Sequence, residues 1–241
     1  HIKMFNLIYS YKQKILNFIF ILQKIKYYLN QKTIYQMYEE SEKINSFNKF
    51  HNNFKTSIFL ETSKDVRLFS IKRSIENDQA NDLYYLEFGV YKGTSINLFS
   101  KFVKTIYGFD SFEGLREDWE GYLHPKGYFS LNSKIPKLKN NAIAVPGWVQ
   151  DTLPKFLKEH DPKINFVHMD LDTYDSSKYV LSKIKPYLVE NAVILFDELY
   201  NFPGWEVGEY KALTEVFNED EYKFLAFAKS EKNAAIKIIK K

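Results

Sequence analysis

The sequence predicts an α/β fold: a seven-stranded, mostly parallel sheet with one antiparallel strand and helices on both faces. Three observations carry this. The stretch Tyr84-Tyr85-Leu86-Glu87-Phe88-Gly89-Val90-Tyr91-Lys92-Gly93-Thr94-Ser95 reads as a buried strand, a tight turn with two glycines four apart, and a helix start that Ile96, Leu98, Phe99 and Phe102 continue. Ile106-Tyr107-Gly108-Phe109-Asp110 is a second short strand ending in an acid, 23 residues after Glu87. Two more apolar runs, Ile164 to Met169 and Val193 to Phe196, end in Asp170 and Asp197-Glu198. These ends lie 27 residues apart, the length of one crossover helix between neighbouring parallel strands.

Taken in order, the chain opens with residues 1–38, which hold Lys3, Lys12, Lys14, Lys24, Lys26 and Lys32 and no acid. Leu7, Tyr11, Ile15, Phe18, Leu22, Ile25 and Leu29 fall at helical spacing, so this is a basic amphipathic helix. Its apolar run from Ile15 to Leu22 is broken by Asn17 and too short to span a bilayer, and Gln23-Lys24-Ile25-Lys26 is no signal-peptide cleavage site. It is read first as packing on the domain or on a second subunit, as in a homodimer. Weak membrane-surface contact and an acidic partner stay open as alternatives. Residues 30–60 form a polar, aromatic-studded connection, partly helical through Tyr35, Tyr38, Phe47, Phe50 and Phe54. Thr62-Ser63-Lys64-Asp65 starts a further helix that buries Val66, Leu68, Phe69, Ile71 and Ile75. The predicted organisation is a helical segment over 1–75, for capping or oligomerisation, and a domain over 76–241 with a lid loop at about 111–145.

Composition narrows the function. An aromatic content of 17% argues against disorder. With no Cys, disulfides, thiolate metal sites and thiol nucleophiles are excluded, and a reducing cytoplasm is the default location. A net charge of +4 is too small to imply nucleic acid.

In the turn, Gly89 permits a sharp bend and Gly93 lets the helix start close to a ligand, with Thr94 and Ser95 as caps. A dinucleotide fingerprint would need glycines where Glu87 and Lys92 stand. A strand-end carboxylate repels phosphate but suits a ligand carrying an ammonium and a sulfonium, such as S-adenosylmethionine. Asp110 stands where this kind of fold places an acid on ribose hydroxyls. The segment from Ser111 to Val145 sets Trp119, Tyr122, His124, Tyr128 and Phe129 among glycines and prolines, and reads as a lid that packs over a ligand or as a surface loop with its own small cluster. His124 is a candidate base there. Asn141 to Val145 is a strand, and Gly147 to Leu153 turns into a helix. Tyr222 to Ala228 and Ala234 to Ile239 close the sheet, the last antiparallel.

Asp170, Asp172, Asp197 and Glu198 converge at the carboxyl edge of the sheet. So many carboxylates together need a cation, and all-oxygen ligands suit Mg²⁺ or Mn²⁺. Helix capping with salt bridges to Lys178 or Lys183 is the structural alternative.

Five blocks resemble the macrocin O-methyltransferase family: Glu87 to Ser95; Gly108-Phe109-Asp110-Ser111-Phe112-Glu113-Gly114-Leu115; Gly147-Trp148-Val149-Gln150-Asp151-Thr152-Leu153-Pro154; His168-Met169-Asp170-Leu171-Asp172-Thr173-Tyr174; and Phe196-Asp197-Glu198. The resemblance covers roughly residues 84–240. It implies a Rossmann-like class I enzyme that uses S-adenosylmethionine and a divalent metal to methylate sugar hydroxyls. The implied cofactor contacts are Glu87, Gly89, Tyr91, Gly93, Thr94, Ser95, Asp110, Ser111, Trp148 on the adenine, Asp151 on its amine, and Asp170. The implied metal ligands are Asp170, Asp197 and Glu198, the last a departure from the family's Asp-Asp. Asp170 is the implied base, with Asp172 and His124 as further catalytic candidates. Related catechol enzymes use a lysine base where this chain has Thr173. The acceptor expected is a nucleotide-linked sugar, or a sugar of a surface polysaccharide or secondary metabolite. A phenolic acceptor, a dehydrogenase and a non-catalytic subunit are the competing readings.

Overall fold

The computed structural model describes residues 2–29, 31–119 and 124–239, with side chains from residue 11 onward except those of residues 27–29. Leu7 and Leu29 as apolar side chains, and Tyr122 of the lid, therefore lie outside the described residues. The chain divides into two compact units, 1–41 and 42–241.

The first unit holds α1 (Ile2–Leu29) and the start of α2 (Ile34–Phe54). Tyr11, Ile15, Phe18, Leu22 and Ile25 of α1 are exposed. No described helix is long and apolar enough to cross a membrane.

The second unit begins within α2. Phe50 of α2 is buried among Tyr200, Trp205, Tyr210, Phe224 and Phe227 and so belongs to the core. Then come β1 (Ile58–Leu60), α3 (Ser63–Ile75), β2 (Tyr84–Phe88), α4 (Thr94–Phe99), β3 (Ile106–Asp110), β4 (Ala142–Pro146), α5 (Val149–His160), β5 (Ile164–Met169), α6 (Tyr174–Ile184), β6 (Leu188–Phe196), α7 (Glu209–Val216), β7 (Tyr222–Ala228) and β8 (Ala234–Ile238).

The strands form one sheet in the order β1-β7-β8-β6-β5-β2-β3-β4. It has eight strands, one more than the sequence predicts. The extra one is β1, a three-residue edge strand pairing parallel to β7 through Ile58, Phe59 and Leu60. Three residues show too little alternation to be read as a strand without their neighbour. Only β8 runs antiparallel, to both β6 and β7. The central strand β5 is buried along its whole length and β6 from Ala192 to Phe196, because both faces are covered there.

Two apolar clusters lie on the two faces. One joins Leu86, Phe88, Val167, Ile194 and Phe196 to α5, α6 and α7. The other joins Val66, Ile71, Phe99, Phe166 and Leu195 beneath α3 and α4. Helix α3 starts as predicted, with Thr62 and Asp65 closing a reciprocal capping box. Helix α4 starts differently: Gly93, at φ 78°, is the cap, and no side chain caps it. The capping expected of Thr94 and Ser95 is absent because both already lie within the helix.

Candidate active site

Parallel strands of this order leave a crevice at their carboxyl ends, where the order reverses between β2 and β5. Gly89 stands at that point with φ 90°, and a Cβ there would sit 1.7 Å from the Asp170 carbonyl oxygen. No other residue lets the ends of β2 and β5 approach this closely. The Gly89 N–H donates to the Phe109 carbonyl and the Asp170 N–H to the Phe88 carbonyl, which ties three strand ends together.

A cavity of about 330 Å³ opens above them. Gly89, Tyr91, Asp110, Ser111, Trp148, Asp170, Asp172, Asp197 and Glu198 all line it, and from the lid so do Leu115, Arg116, Trp119, His124 and Phe129. Glu87, Gly93, Thr94, Ser95 and Asp151 do not. Asp151 is exposed in the first turn of α5. Glu87 is fully buried below the cavity floor, where its Oε1 meets His168 Nδ1 at 2.8 Å. Asp110 faces the cavity, but its Oδ2 accepts the Val90 and Tyr91 N–H groups and its Oδ1 that of Phe112. It shapes the turn while keeping acceptor capacity for a ligand.

The lid is held locally. Gly114, at φ 87°, passes so close to the Gly127 and Tyr128 carbonyls that a side chain would collide with them. His124 stacks on Tyr128 at 3.8 Å and meets Phe129 edge-on. The Arg116 guanidinium lies 5.7 Å above the Trp148 ring.

The acids separate into two groups. Asp197 Oδ1 receives Arg67 at 2.5 Å, Asn233 at 2.6 Å and His168 Nε2 at 3.3 Å. His168 thus bridges Glu87 and Asp197. Burial would lower the His168 pKa, but its hydrogen bonds to Asp197 and Glu87 and the charge of Glu87 raise it to about 10. It is an imidazolium donating at both nitrogens. Burial likewise pushes Asp197 up, yet His168 and Arg67 together hold it down at about 2.

The second group is not compensated in this way. Burial, then the charge of Asp197, pushes Asp170 well above the usual carboxylate range, against the pull of His168. The same two causes raise Asp172 to about 7 against the pull of Lys232. Burial and four neighbouring acids, Asp197 foremost, raise Glu198 well above its ordinary value. Lys232 reaches Glu198 only at 3.9 Å, and Glu198 Oε2 is buried without a hydrogen-bond partner. Two sets of ligand atoms each lie within 4.8 Å of one another: His168, Asp170 and Asp197, and Asp170, Asp172 and Glu198, the second a hard-oxygen set that fits a divalent cation.

Sequence reasoning did not find Arg67, Asn233, Lys232 or Glu209. Glu209 is buried at the start of α7, where its Oε2 accepts the Glu198 N–H at 3.1 Å. Nothing local marks any of the four, since each comes from an element distant in the chain.

A family profile described as "Methyltransferase domain" matches residues 86–199, the span from the glycine turn through the acid cluster. With that match over its central span, the protein is an S-adenosylmethionine-dependent methyltransferase. The fold is similar to the crystal structure of CalS11, a calicheamicin methyltransferase, with a TM-score of 0.60, 23% identity, and coverage of 89% of this chain and 90% of that one. An apo structure of CalS11, described as a TDP-rhamnose 3'-O-methyltransferase, aligns with a TM-score of 0.53 and 20% identity over 86% of this chain and 96% of that one. The O-methyltransferase NovP gives 0.53 and 16% identity over 73% of this chain and 79% of that one. A search of curated protein sequences finds no match.

Proposed function

We propose that this methyltransferase acts on a sugar hydroxyl, assisted by a divalent cation, and that it is of the macrocin O-methyltransferase type. The observation that carries the reading is one cavity with two chemically distinct ends. Gly89, Tyr91, Asp110 and Trp148 form one end, suited to a nucleoside-bearing cofactor. Asp170, Asp172 and Glu198 form the other, suited to a cation and a polyhydroxyl acceptor. Asp170 belongs to both, since its backbone closes on Gly89 while its carboxylate joins the acids.

In the proposed reaction the acceptor oxygen attacks the sulfonium methyl. The C–S bond breaks as the O–C bond forms, and S-adenosylhomocysteine leaves. Asp170 takes the hydroxyl proton as general base. A divalent cation would supply Lewis acidity that lowers the hydroxyl pKa, with Asp170 and Glu198 among the carboxylates holding it. The cavity walls hold methyl donor and acceptor in line, which converts encounter into orientation. Trp148, sandwiched under Arg116, is the adenine platform. Trp119, His124 and Phe129 of the lid are the proposed faces for a sugar ring, and His124 and Asp172, which line the same cavity, are the proposed secondary proton acceptors. A nucleotide-linked acceptor draws support from CalS11, described as acting on TDP-rhamnose. The basic α1, with its exposed Tyr11, Ile15, Phe18, Leu22 and Ile25, is proposed as a subunit contact in a homodimer.

The test is mass spectrometry of products after incubation with methyl-labelled cofactor and a panel of nucleotide sugars, with and without chelator. Label in a sugar, lost in chelator and restored by Mg²⁺ or Mn²⁺, supports the proposal. Label appearing only in catechol acceptors would reject the sugar assignment, and full transfer in excess chelator would reject the cation.

A further inference from the structure

Thr173 sits immediately before α6, where a threonine hydroxyl ordinarily accepts an N–H of the first helical turn. Here it caps nothing, and its side chain makes no hydrogen bond among the described residues, although the residue is only 6% exposed. A hydroxyl so enclosed is costly to leave unpaired, and a partner can reach it only through the spaces it lines. There are two of these. One is the cavity described above, and the other is a second cavity of about 390 Å³. Trp119 and Asp172 are likewise common to both, so the two chambers meet across these three residues. Each has the size of a small-ligand site, about 300–1,000 Å³.

The second chamber is built from distant segments. Glu117 and Asp118 come from the lid, whose preceding residues Leu115 and Arg116 line the first cavity instead, so that Trp119 is the partition. Tyr174 and Asp175 come from the first turn of α6, and Lys211 from α7. The walls are held in place. Tyr174 donates to Glu215 at 2.6 Å, accepts from Lys178 at 2.8 Å, and carries Lys211 Nζ 4.2 Å from its ring centroid. The Trp119 ring has Lys232 Nζ at 5.3 Å and meets Phe202 edge-on. The lining charge is one-sided: Glu117, Asp118, Asp172 and Asp175 face Lys211 alone among the described residues. A chamber of this sign repels phosphate. It suits a ligand rich in O–H donors, which carboxylates accept strongly, and its two aromatic walls suit the apolar C–H faces of such a ligand.

We infer that the second chamber is a subsite for a further sugar residue, glycosidically linked to the one being methylated, with Thr173 at the neck as a specificity-determining residue. This rests on the sugar-acceptor reading above and narrows its class to a neutral oligosaccharide or glycoside. A sugar extended through this chamber by a nucleotide diphosphate would set its phosphates against four carboxylates and one ammonium.

The test compares kcat/KM of the full chain for methyl transfer from labelled cofactor to matched acceptors. These are methyl glycosides of a panel of hexoses and deoxyhexoses, differently linked disaccharides carrying the same sugars, and their nucleotide diphosphate forms. A disaccharide is expected to exceed both the monosaccharide and the nucleotide form by about 10-fold or more, the worth of one hydrogen bond to a charged group. The double variant Glu117→Gln, Asp175→Asn, which alters the second chamber alone, should lower the disaccharide by about 10-fold and the monosaccharide by less than about 2-fold. Thr173→Val should raise KM for the disaccharide about 2–10-fold, and Thr173→Ser should restore it. Equal kcat/KM for disaccharide and monosaccharide, or a nucleotide form ahead of both, would overturn the subsite while leaving sugar methylation intact. A disaccharide advantage that survives the double variant would overturn it as well. Label in no sugar of any form would instead overturn the sugar reading itself, and the subsite with it.

Discussion

Replacing Arg67 by Met removes the guanidinium that pairs with Asp197 and leaves a similarly long apolar stem in its place. The Arg67 side chain is 21% exposed and that of Asp197 14%, so the pair is largely withdrawn from water. Removing one partner of a buried pair costs about 3–5 kcal/mol because the other charge remains uncompensated. Here His168 and Asn233 still donate to Asp197, which places the expected loss at the lower end, about 3 kcal/mol. For a domain of this size that corresponds to a fall in Tm of about 6–12 °C. Thermal unfolding followed by circular dichroism reads it directly. A double-mutant cycle with Asp197→Asn should show coupling between the two sites, as expected for residues in contact. Arg67→Lys should recover part of the loss, since it restores charge without the planar fork. A Tm for Arg67→Met within about 2 °C of wild type, under 1 kcal/mol on the same scale, would refute the reasoning. It would show that His168 and Asn233 already satisfy Asp197.

Asp170→Asn should lower turnover by more than the about 10²–10⁴-fold typical of losing a general base, because a ligand charge goes with it; steady-state rates equal to those of Glu198→Gln would contradict that dual role. Asp110→Ala should weaken cofactor binding by about 1.5–3 kcal/mol in calorimetry, the range for charge-assisted hydrogen bonds, with part of the effect arising from the freed Val90, Tyr91 and Phe112 N–H groups. In chelator, stability should fall as pH rises. Asp172, raised to about 7, contributes stability that is full below its unfolded value of 3.8 and lost as pH passes 7. His168, raised to about 10, contributes stability that is full below 6.5 and lost as pH passes 10. Asp197, held at about 2, works the other way, and its contribution disappears only as pH drops from 3.8 through 2. Unfolding temperatures that rise between pH 5 and pH 9 in chelator would contradict these signs.

How much of this was legible without coordinates follows from the range of each interaction. The alternation and length of Tyr84–Phe88, Ile106–Asp110 and Ile164–Met169 are local properties, so the strands, their acids and the glycine turn could be read from the chain. The 27 residues between Asp170 and Asp197 further implied adjacent strand ends, and β5 does pair parallel to β6 through Met169 and Phe196. Local pattern failed where an element is too short, as at β1, or where burial reverses a residue's meaning. Glu87 reads as a ligand-facing acid because it ends a strand, yet the pleat turns it beneath the cavity and onto His168. The charge state of the acids was the part that only the tertiary structure decided. Arg67 comes from α3 and Asn233 from the turn between β7 and β8, 130 and 36 residues from Asp197. A carboxylate's chemistry is set by which charges stand within a few ångströms, and that is a property of packing rather than of sequence neighbours.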